Sequence, residues 1–287
     1  MPSQTLQVRL KKSNNESHCS KLQVSQVKKV KISVITVAFN AAGTITGCLN
    51  SVKAQGQGVE HIVVDGGSAD GTVDIILSRR SQIAQFVSEP DGGIYDAMNK
   101  GIRMATGDII GILNADDVYE SRDVTKRVAE VFEDPSHDAC YGDLLYVHRT
   151  DANKVFRYWR SGKYTTHSFY LGWMPPHPAF FVRRELYGKY GLFDTGLGTS
   201  ADYELMLRLF LKHKLRAVYI PSVLVRMRTG GTSNASILNR LRANRMDRKA
   251  WKVNGLTPYP FTLVAKPLRK LGQFLARGQH FHQMDTL

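Results

Sequence analysis

Lys31-Ile-Ser-Val-Ile-Thr-Val-Ala-Phe39 is apolar or β-branched at nearly every position, and Asn40-Ala-Ala-Gly43 stops it. A strand with one wet face alternates apolar and polar residues. A run without that alternation reads as a strand covered on both faces, as in a parallel sheet. The next stretch, from a capping Thr44 to Gln55, has helical character. His61-Ile-Val-Val64 repeats the short buried strand and ends in Asp65-Gly-Gly-Ser-Ala-Asp-Gly-Thr72. From Thr72 to Arg80 the spacing is again helical, with Val73, Ile76 and Leu77 expected on one face. Ile83 to Ser88 reads as a third strand and Tyr95 to Ala105 as a helix with Ala97, Gly101 and Met104 on one stripe. Asp108-Ile-Ile-Gly-Ile-Leu113 is a fourth strand, stopped by Asn114-Ala-Asp-Asp117.

Strand and helix thus alternate with short links, the pattern of parallel βαβ units in an α/β fold. Right-handed crossovers bring the C-terminal ends of such strands to one edge, where open α/β sheets bind ligands. The segments around Asp65 and Asp116 are therefore expected to face one crevice. From Ala139 the alternation loosens. Cys140 to Asp143 and Leu144 to Arg149 read as further strands, and Ala179 to Val182 as another. Trp173-Met-Pro-Pro-His-Pro178 must be loop, because its prolines fit neither a helix interior nor a central strand. Asp202 to Lys212 is a helix with Leu205, Leu209 and Phe210 inward. Pro267 to Arg277 reads as a last helix, with Leu268, Leu271 and Leu275 on one face and Lys266, Arg269, Lys270 and Arg277 around it. An apolar stripe with basic flanks suits a helix lying on an anionic bilayer; a helix packed on the core with solvated lysines fits the same pattern.

The 287 residues carry 39 Lys and Arg against 25 Asp and Glu, a formal net charge of +14. The excess lies at the ends. Residues 1–31 hold seven basic residues and one Glu, and 226–287 hold twelve and two Asp. Between them the chain is nearly neutral, so a polyanion would be met by the flanks, not by the core. Residues 1–29 are polar without a sustained period and read as a flexible basic arm. The body is expected over 30–232 and a basic helical extension over 233–287. No run reaches the roughly 18 apolar residues that a spanning helix needs, and no apolar stretch follows the first basic residues, so no secretory signal is read. Cys19, Cys48 and Cys140 form neither a zinc pattern nor a disulfide framework. The expected setting is cytoplasmic, peripheral on the inner face of the membrane.

Asn114-Ala-Asp116-Asp117 ends a buried strand, and two adjacent carboxylates there repel one another unless a cation sits close. A divalent metal is the natural partner, although Asp and Asn are also favoured in plain turns. Asp65 either accepts hydrogen bonds from a nucleobase or ribose, or closes an Asx-turn. The glycines after it let a flat ring approach the backbone. No G-x-G-x-x-G and no Walker A lysine motif occur.

The ordered set Val34-Ile-Thr-Val-Ala-Phe-Asn40, Val64 to Thr72, Gly93-Ile-Tyr-Asp-Ala-Met-Asn-Lys-Gly101, Ala105-Thr-Gly-Asp108 and Leu113-Asn-Ala-Asp-Asp117 resembles a family 2 glycosyltransferase, of the kind that builds bacterial surface polysaccharide. His177-Pro-Ala-Phe-Phe181, Gly191-Leu-Phe-Asp194 and Ala201-Asp-Tyr-Glu-Leu205 continue the likeness, which covers roughly 32–232. It implies a GT-A fold: Rossmann-like, with a mixed, mostly parallel sheet flanked by helices. It implies inverting transfer from a nucleotide-diphosphate sugar to a hydroxyl of a saccharide, or lipid-linked saccharide, acceptor. By the same resemblance Asp202 is the catalytic base, although Ala201 stands where the family commonly has Glu. Thr36, Asn40, Asp65, Asn99, Lys100, Asn114, Ala115, Asp116 and Arg228 are the implied nucleotide-sugar contacts, and His177 lies on the acceptor side. Asn114 replaces the first acid of the family's Asp-x-Asp. That leaves Asp116 to hold Mn²⁺ or Mg²⁺, with Asp117 a second candidate ligand. Arg226, Arg228 and the Gly230-Gly231 pair resemble a loop that closes over the diphosphate, and arginine forks suit phosphate oxygens.

Two other classes compete. A nucleic-acid-binding protein would need the basic flanks alone, because the core is slightly acidic; no nucleic acid is expected as a partner. A nucleotidyltransferase would use the same metal site and release pyrophosphate instead of a nucleoside diphosphate.

Overall fold

The computed structural model describes residues 30–151, 153–230 and 237–275, the last span without side chains at 237–243 and 270–275. The expected N-terminal arm, Gly231, Arg277 and the side chains of Lys270, Leu271 and Leu275 lie outside the described parts. Each long apolar run becomes a strand, and each polar break a turn. In chain order the elements are β1 (Ile32–Ala38), α1 (Ile45–Lys53), β2 (Val59–Asp65), α2 (Thr72–Leu77), β3 (Gln85–Ser88), α3 (Ile94–Met104), β4 (Ile109–Asn114) and β5 (Val118–Tyr119). They continue with α4 (Val124–Phe132), β6 (Ala139–Val147), β7 (Val155–Trp159), α5 (Thr166–Tyr170), β8 (Phe180–Arg183), α6 (Arg184–Tyr190) and α7 (Ala201–Leu207). β9 (Ala217–Arg228), α8 (Ile237–Val253) and α9 (Thr262–Leu275) complete the chain.

The described strands form one nine-stranded sheet in the order β3-β2-β1-β4-β8-β6-β9-β5, with β7 added to β6. β3, β2, β1 and β4 run parallel, as the βαβ reading requires. β8 is antiparallel to both β4 and β6, and β6 is parallel to β9, so the sheet is mixed and mostly parallel. All seven residues of β1 are buried, which confirms cover on both faces. Cys140 to Asp143 and Leu144 to Val147 make one strand, with register shifts near Asp143. There the buried Asp143 accepts hydrogen bonds from Ser161 N at 2.8 Å and from the hydroxyls of Tyr219, at 2.9 Å, and Tyr158.

Three local expectations need correction. α2 ends at Leu77, which is exposed, and only Ile76 of the expected face is fully buried. The helix after Asp202 widens into a π-turn over Arg208–Lys212. The last helix begins at Thr262 and carries Pro267 inside it; it does not start there. Nor does the packing break at 232. Ala250 and Trp251 of α8 are fully buried in the core that also holds Ile35 of β1 and Tyr141 of β6. No helix among the described residues is long and apolar enough to cross a membrane.

At the N-terminal edge of the strands, Glu60 gathers Lys31 Nζ (2.9 Å), Ser33 Oγ (2.5 Å), and Thr106 N (2.8 Å) and Oγ1 (2.5 Å). Burial alone would raise its pKa, but these donors outweigh it and hold the carboxyl at about 2. Its neighbour His61 is buried against Thr36 Oγ1 (3.0 Å), and burial holds the imidazole at about 4. Both pKa values are depressed, so both groups contribute stability at neutral pH that is lost on acidification. His61 should withdraw its share as pH falls below 6.5 toward 4, and Glu60 as pH falls below 4.5 toward 2. Urea unfolding of Glu60→Gln should show a loss of about 1–3 kcal/mol at pH 7, narrowing toward pH 2. Gly111 of β4 lies flat against Phe181 of β8, whose ring an added Cβ would overlap. Gly111→Ala is expected to cost about 1–3 kcal/mol, seen as a lowered melting temperature.

Candidate active site

The strand register decides which loops meet. Ala38 pairs with Asp65, Asp65 with Ser88, and Val37 with Asn114. β2 and β4 flank β1, so the backbones of Asp65 and Asn114 stand about two strand spacings, roughly 10 Å, apart. The segments after β1, β2, β3 and β4 therefore share one edge.

Asp65 does not face outward from it. The residue is fully buried, and its carboxylate accepts from Gly67 N (3.0 Å), Ser68 N (2.9 Å), Ser88 Oγ (2.8 Å) and the Ser68 hydroxyl. This is the Asx-turn alternative, extended by two serines. Asn40, in the left-handed region at φ 48°, accepts from Ala69 N at 3.0 Å, and its own N–H donates to Ser68 Oγ at 2.8 Å. The glycines do not leave room for a flat ring either. A Cβ on Gly66 would lie 2.7 Å from Asp91 Oδ2, and one on Gly67 would lie 3.3 Å from Pro90 N. The carboxylate standing over this loop is thus the half-buried Asp91, a residue the sequence reading missed although it follows a strand at the same edge.

After β4 the chain turns sharply, with Asp117 N donating to Asn114 O at 3.0 Å. Ala115 is buried, and its N–H continues the ladder to Val37 O. Asp116 stays half-exposed, whereas Asp117 is fully buried. Asp117 Oδ1 accepts the Arg228 backbone N–H at 3.2 Å, and Oδ2 lies 3.4 Å from Asn114 Nδ2. Asp117 is therefore turned into the sheet, and the expectation that it ligates a metal is corrected. Burial raises the Asp116 pKa against the opposing pull of Arg228 and Arg149; burial and then the Asp116 charge push Asp117 well above the usual carboxylate range. Arg228 Nη1 donates to Arg149 O at 2.9 Å, which holds the two arginine segments together beside the acid turn. Arg149, at the end of the β6–β7 hairpin, was not foreseen. Arg226 is used differently, in a two-pronged ion pair with Glu120.

The donor set at this turn suits a hard cation. Asn114 Oδ1 is a buried oxygen with no hydrogen-bond partner among the described residues, and it stands two positions from the Asp116 carboxylate. No cluster of three or more His, Cys, Asp or Glu side chains is placed to hold a metal among the described residues. Asp116 and Asn114 would share an ion with oxygens that the chain does not itself supply.

Asp202 occupies the first turn of α7 and is half-buried. Tyr95 of α3 lies beside Asp202, and burial followed by the Asp202 charge raises the Tyr95 pKa. Asp202 Oδ1 accepts the Tyr203 N–H at 2.7 Å. Tyr146, on β6, lies within electrostatic reach of both Asp117 and Asp202. His177 is buried, edge-on to Phe193 at 5.3 Å, and close enough to feel the Asp202 charge. Burial holds its pKa below 6.5, so the ring is neutral at pH 7.

Three expected donor contacts serve the scaffold instead. Thr36 is fully buried between His61 and Cys48. Both ends of the Asn99 amide clamp the Phe193 backbone, each at 3.0 Å, because a buried amide must satisfy donor and acceptor alike. Lys100 pairs with Glu89 at 3.0 Å and donates to Pro90 O at 3.3 Å, holding the loop that carries Asp91.

Comparison with known proteins bears on the family and the fold. A glycosyltransferase of Mycobacterium tuberculosis described as uncharacterised is 35% identical over 181 residues, which is 62% of this chain and 68% of that protein. A PGL/p-HBAD biosynthesis glycosyltransferase of Mycobacterium bovis is 31% identical over 211 residues, 71% of this chain and 80% of that one. Two solved structures share the fold. The mannosyltransferase PcManGT of Pyrobaculum calidifontis, in complex with GDP-Man and Mn²⁺, superposes with a TM-score of 0.58 at 22% identity over 83% of this chain and 69% of that chain. TarS of S. aureus gives 0.57 at 19% over 76% of this chain, and the match spans 39% of the TarS chain. The architecture is the GT-A fold. The family model for glycosyl transferase family 2 matches residues 33–191, across β1 to α6 and the acid turn, and the chain belongs to that family.

Proposed function

We propose that the chain is an inverting hexosyltransferase that moves a sugar from a nucleotide-diphosphate sugar to a hydroxyl of a saccharide acceptor, carried in its natural setting on a lipid. The observation that carries this reading is the meeting of unlike groups at one sheet edge. The half-exposed Asp116 is flanked by Arg149 and Arg228, and its neighbour Asp117 lies, like Asp202 beside Tyr95, within electrostatic reach of Tyr146. The first set suits a diphosphate, the second a hydroxyl that must lose a proton. PcManGT, with its GDP-Man and Mn²⁺, supports the donor class, and the mycobacterial PGL/p-HBAD biosynthesis glycosyltransferase supports glycosyl transfer.

In this reading Arg149 and Arg228 bind the phosphate oxygens. Asp91 contacts the base or ribose, while Asp65 keeps the loop beneath it in shape. Asp116 and Asn114 would hold Mn²⁺ or Mg²⁺, which when bound neutralises the departing diphosphate. Asp202 takes the acceptor proton as the new glycosidic C–O bond forms and the bond to the diphosphate breaks. A single carboxylate on the face opposite the leaving group suffices and inverts the anomeric carbon. Tyr95 stands beside that carboxylate.

Thermal shifts with UDP and GDP should show stabilisation by one base that requires Mn²⁺ or Mg²⁺. Asp116→Asn should remove the metal requirement together with most of the shift; an unchanged metal-dependent shift would transfer the ligand role elsewhere. Asp202→Asn should lower transfer by about 10²–10⁴-fold while leaving the nucleotide shift intact. Full activity in that variant, or release of pyrophosphate in place of a nucleoside diphosphate, would overturn the reading.

A further inference from the structure

α9 is docked on the body along one side. Thr262 and Leu263 are buried, and Thr262 Oγ1 donates to Tyr170 O at 2.6 Å. Gly172, at φ 77°, lies so close to Lys266 and Ala265 that a Cβ would strike their backbone. The opposite side is bare. Phe261, Val264 and Leu268 stand at helical spacing and are 51%, 60% and 58% exposed, and Tyr259, whose ring lies 5.6 Å from that of Phe261, is 42% exposed. Water-facing aromatic and aliphatic side chains in one continuous ridge are uncommon on a soluble surface and mark a place where something docks.

The charges on α8 and α9 point to what docks there. Arg248, Lys249 and Lys252 on α8 and Arg269 on α9 are exposed. The one acid among residues 237–275, Asp247, is buried and spent on Lys266 at 2.7 Å. A protein partner recognised by an apolar ridge would not need this uniform sign. An anionic lipid surface does, because its headgroups attract the cations while its acyl boundary receives the apolar side chains. We propose that the Tyr259–Leu268 ridge is an interfacial anchor that seats the enzyme on an anionic bilayer.

The anchor is connected to the chemistry. Lys266 Nζ lies 3.5 Å from the centre of the Tyr203 ring, and Trp251 Nε1 of α8 donates to the Tyr203 hydroxyl at 2.9 Å. Tyr203 directly follows Asp202. Seating α9 on the membrane therefore holds the acceptor side of the site at a fixed height above the lipid headgroups. This consequence rests on the Asp202 reading; binding to lipid does not, and it is measured without donor or acceptor.

The full chain should co-sediment with phosphatidylcholine vesicles containing phosphatidylglycerol, and added salt should weaken the binding. The combined variant Phe261→Glu, Val264→Glu, Leu268→Glu should lose at least about tenfold in vesicle affinity while keeping the parent's nucleotide-dependent thermal shift, which shows that it folds. Arg248→Gln with Lys249→Gln and Lys252→Gln should bind phosphatidylglycerol vesicles more weakly than the parent does. Equal vesicle binding by parent and ridge variant would overturn the proposal. So would a parent that ignores vesicles, or one that is a dimer which the ridge variant dissociates, because the ridge would then be an interface between two copies of this chain.

Discussion

The arrangement of the site depends on one buried carboxylate. Asp117 has no contact with water and spends an oxygen on the backbone N–H of Arg228, at the far end of β9. The two residues are more than a hundred positions apart, and the bond between them fastens the acid turn after β4 to a strand that lies beyond β8 and β6 in the sheet. Burying a carboxylate is costly unless donors compensate it, so this one serves as a constraint and not as reactive equipment. Once it is in place, Asp116 has only the open side of the turn to occupy, and Arg228 and Arg149 are delivered to the same side. The neighbouring acids thus differ: one fixes the frame, and the other stands on the open side of the turn.

Much of the fold was legible in the sequence because each parallel strand is a continuous apolar run bounded by Asn, Asp or Gly, and that pattern has few other solutions. β1, β2 and β4, and the edge they share, follow from it directly. The later strands were less legible. β8 and β9 insert between or beyond elements distant in sequence, and such non-local pairing leaves little trace in local composition. The site was legible where its chemistry is exposed. Asp116 stands beside Arg228, and His177 lies within electrostatic reach of Asp202.

The misplacements have a common cause. Asp65, Asn99, Lys100, Thr36 and Asp117 are polar residues near a ligand edge, and such an edge needs polar side chains twice: to touch the ligand and to hold the loops that touch it. Nothing in a side chain's identity says which duty it has. The Asp65 carboxylate accepts from two backbone N–H groups and two serine hydroxyls, and the Asn99 amide is clamped to the Phe193 backbone, so both hold loops in place. Asp91, Tyr95 and Arg149 were overlooked for the converse reason. They stand in a turn, a helix and a hairpin end, and only the register of β3, β6 and β9 shows where those lead.

Ser68 joins two loops that the sequence keeps separate. Its hydroxyl receives the Asn40 N–H from the loop after β1 and is bonded to the Asp65 carboxylate beneath the loop after β2. Neither segment can rearrange without breaking a bond to the other. Small molecules that immobilise one of them will immobilise both, so the entropy lost on forming the complex is shared across a pair of linked segments, and that half of the pocket responds as a single rigid plate.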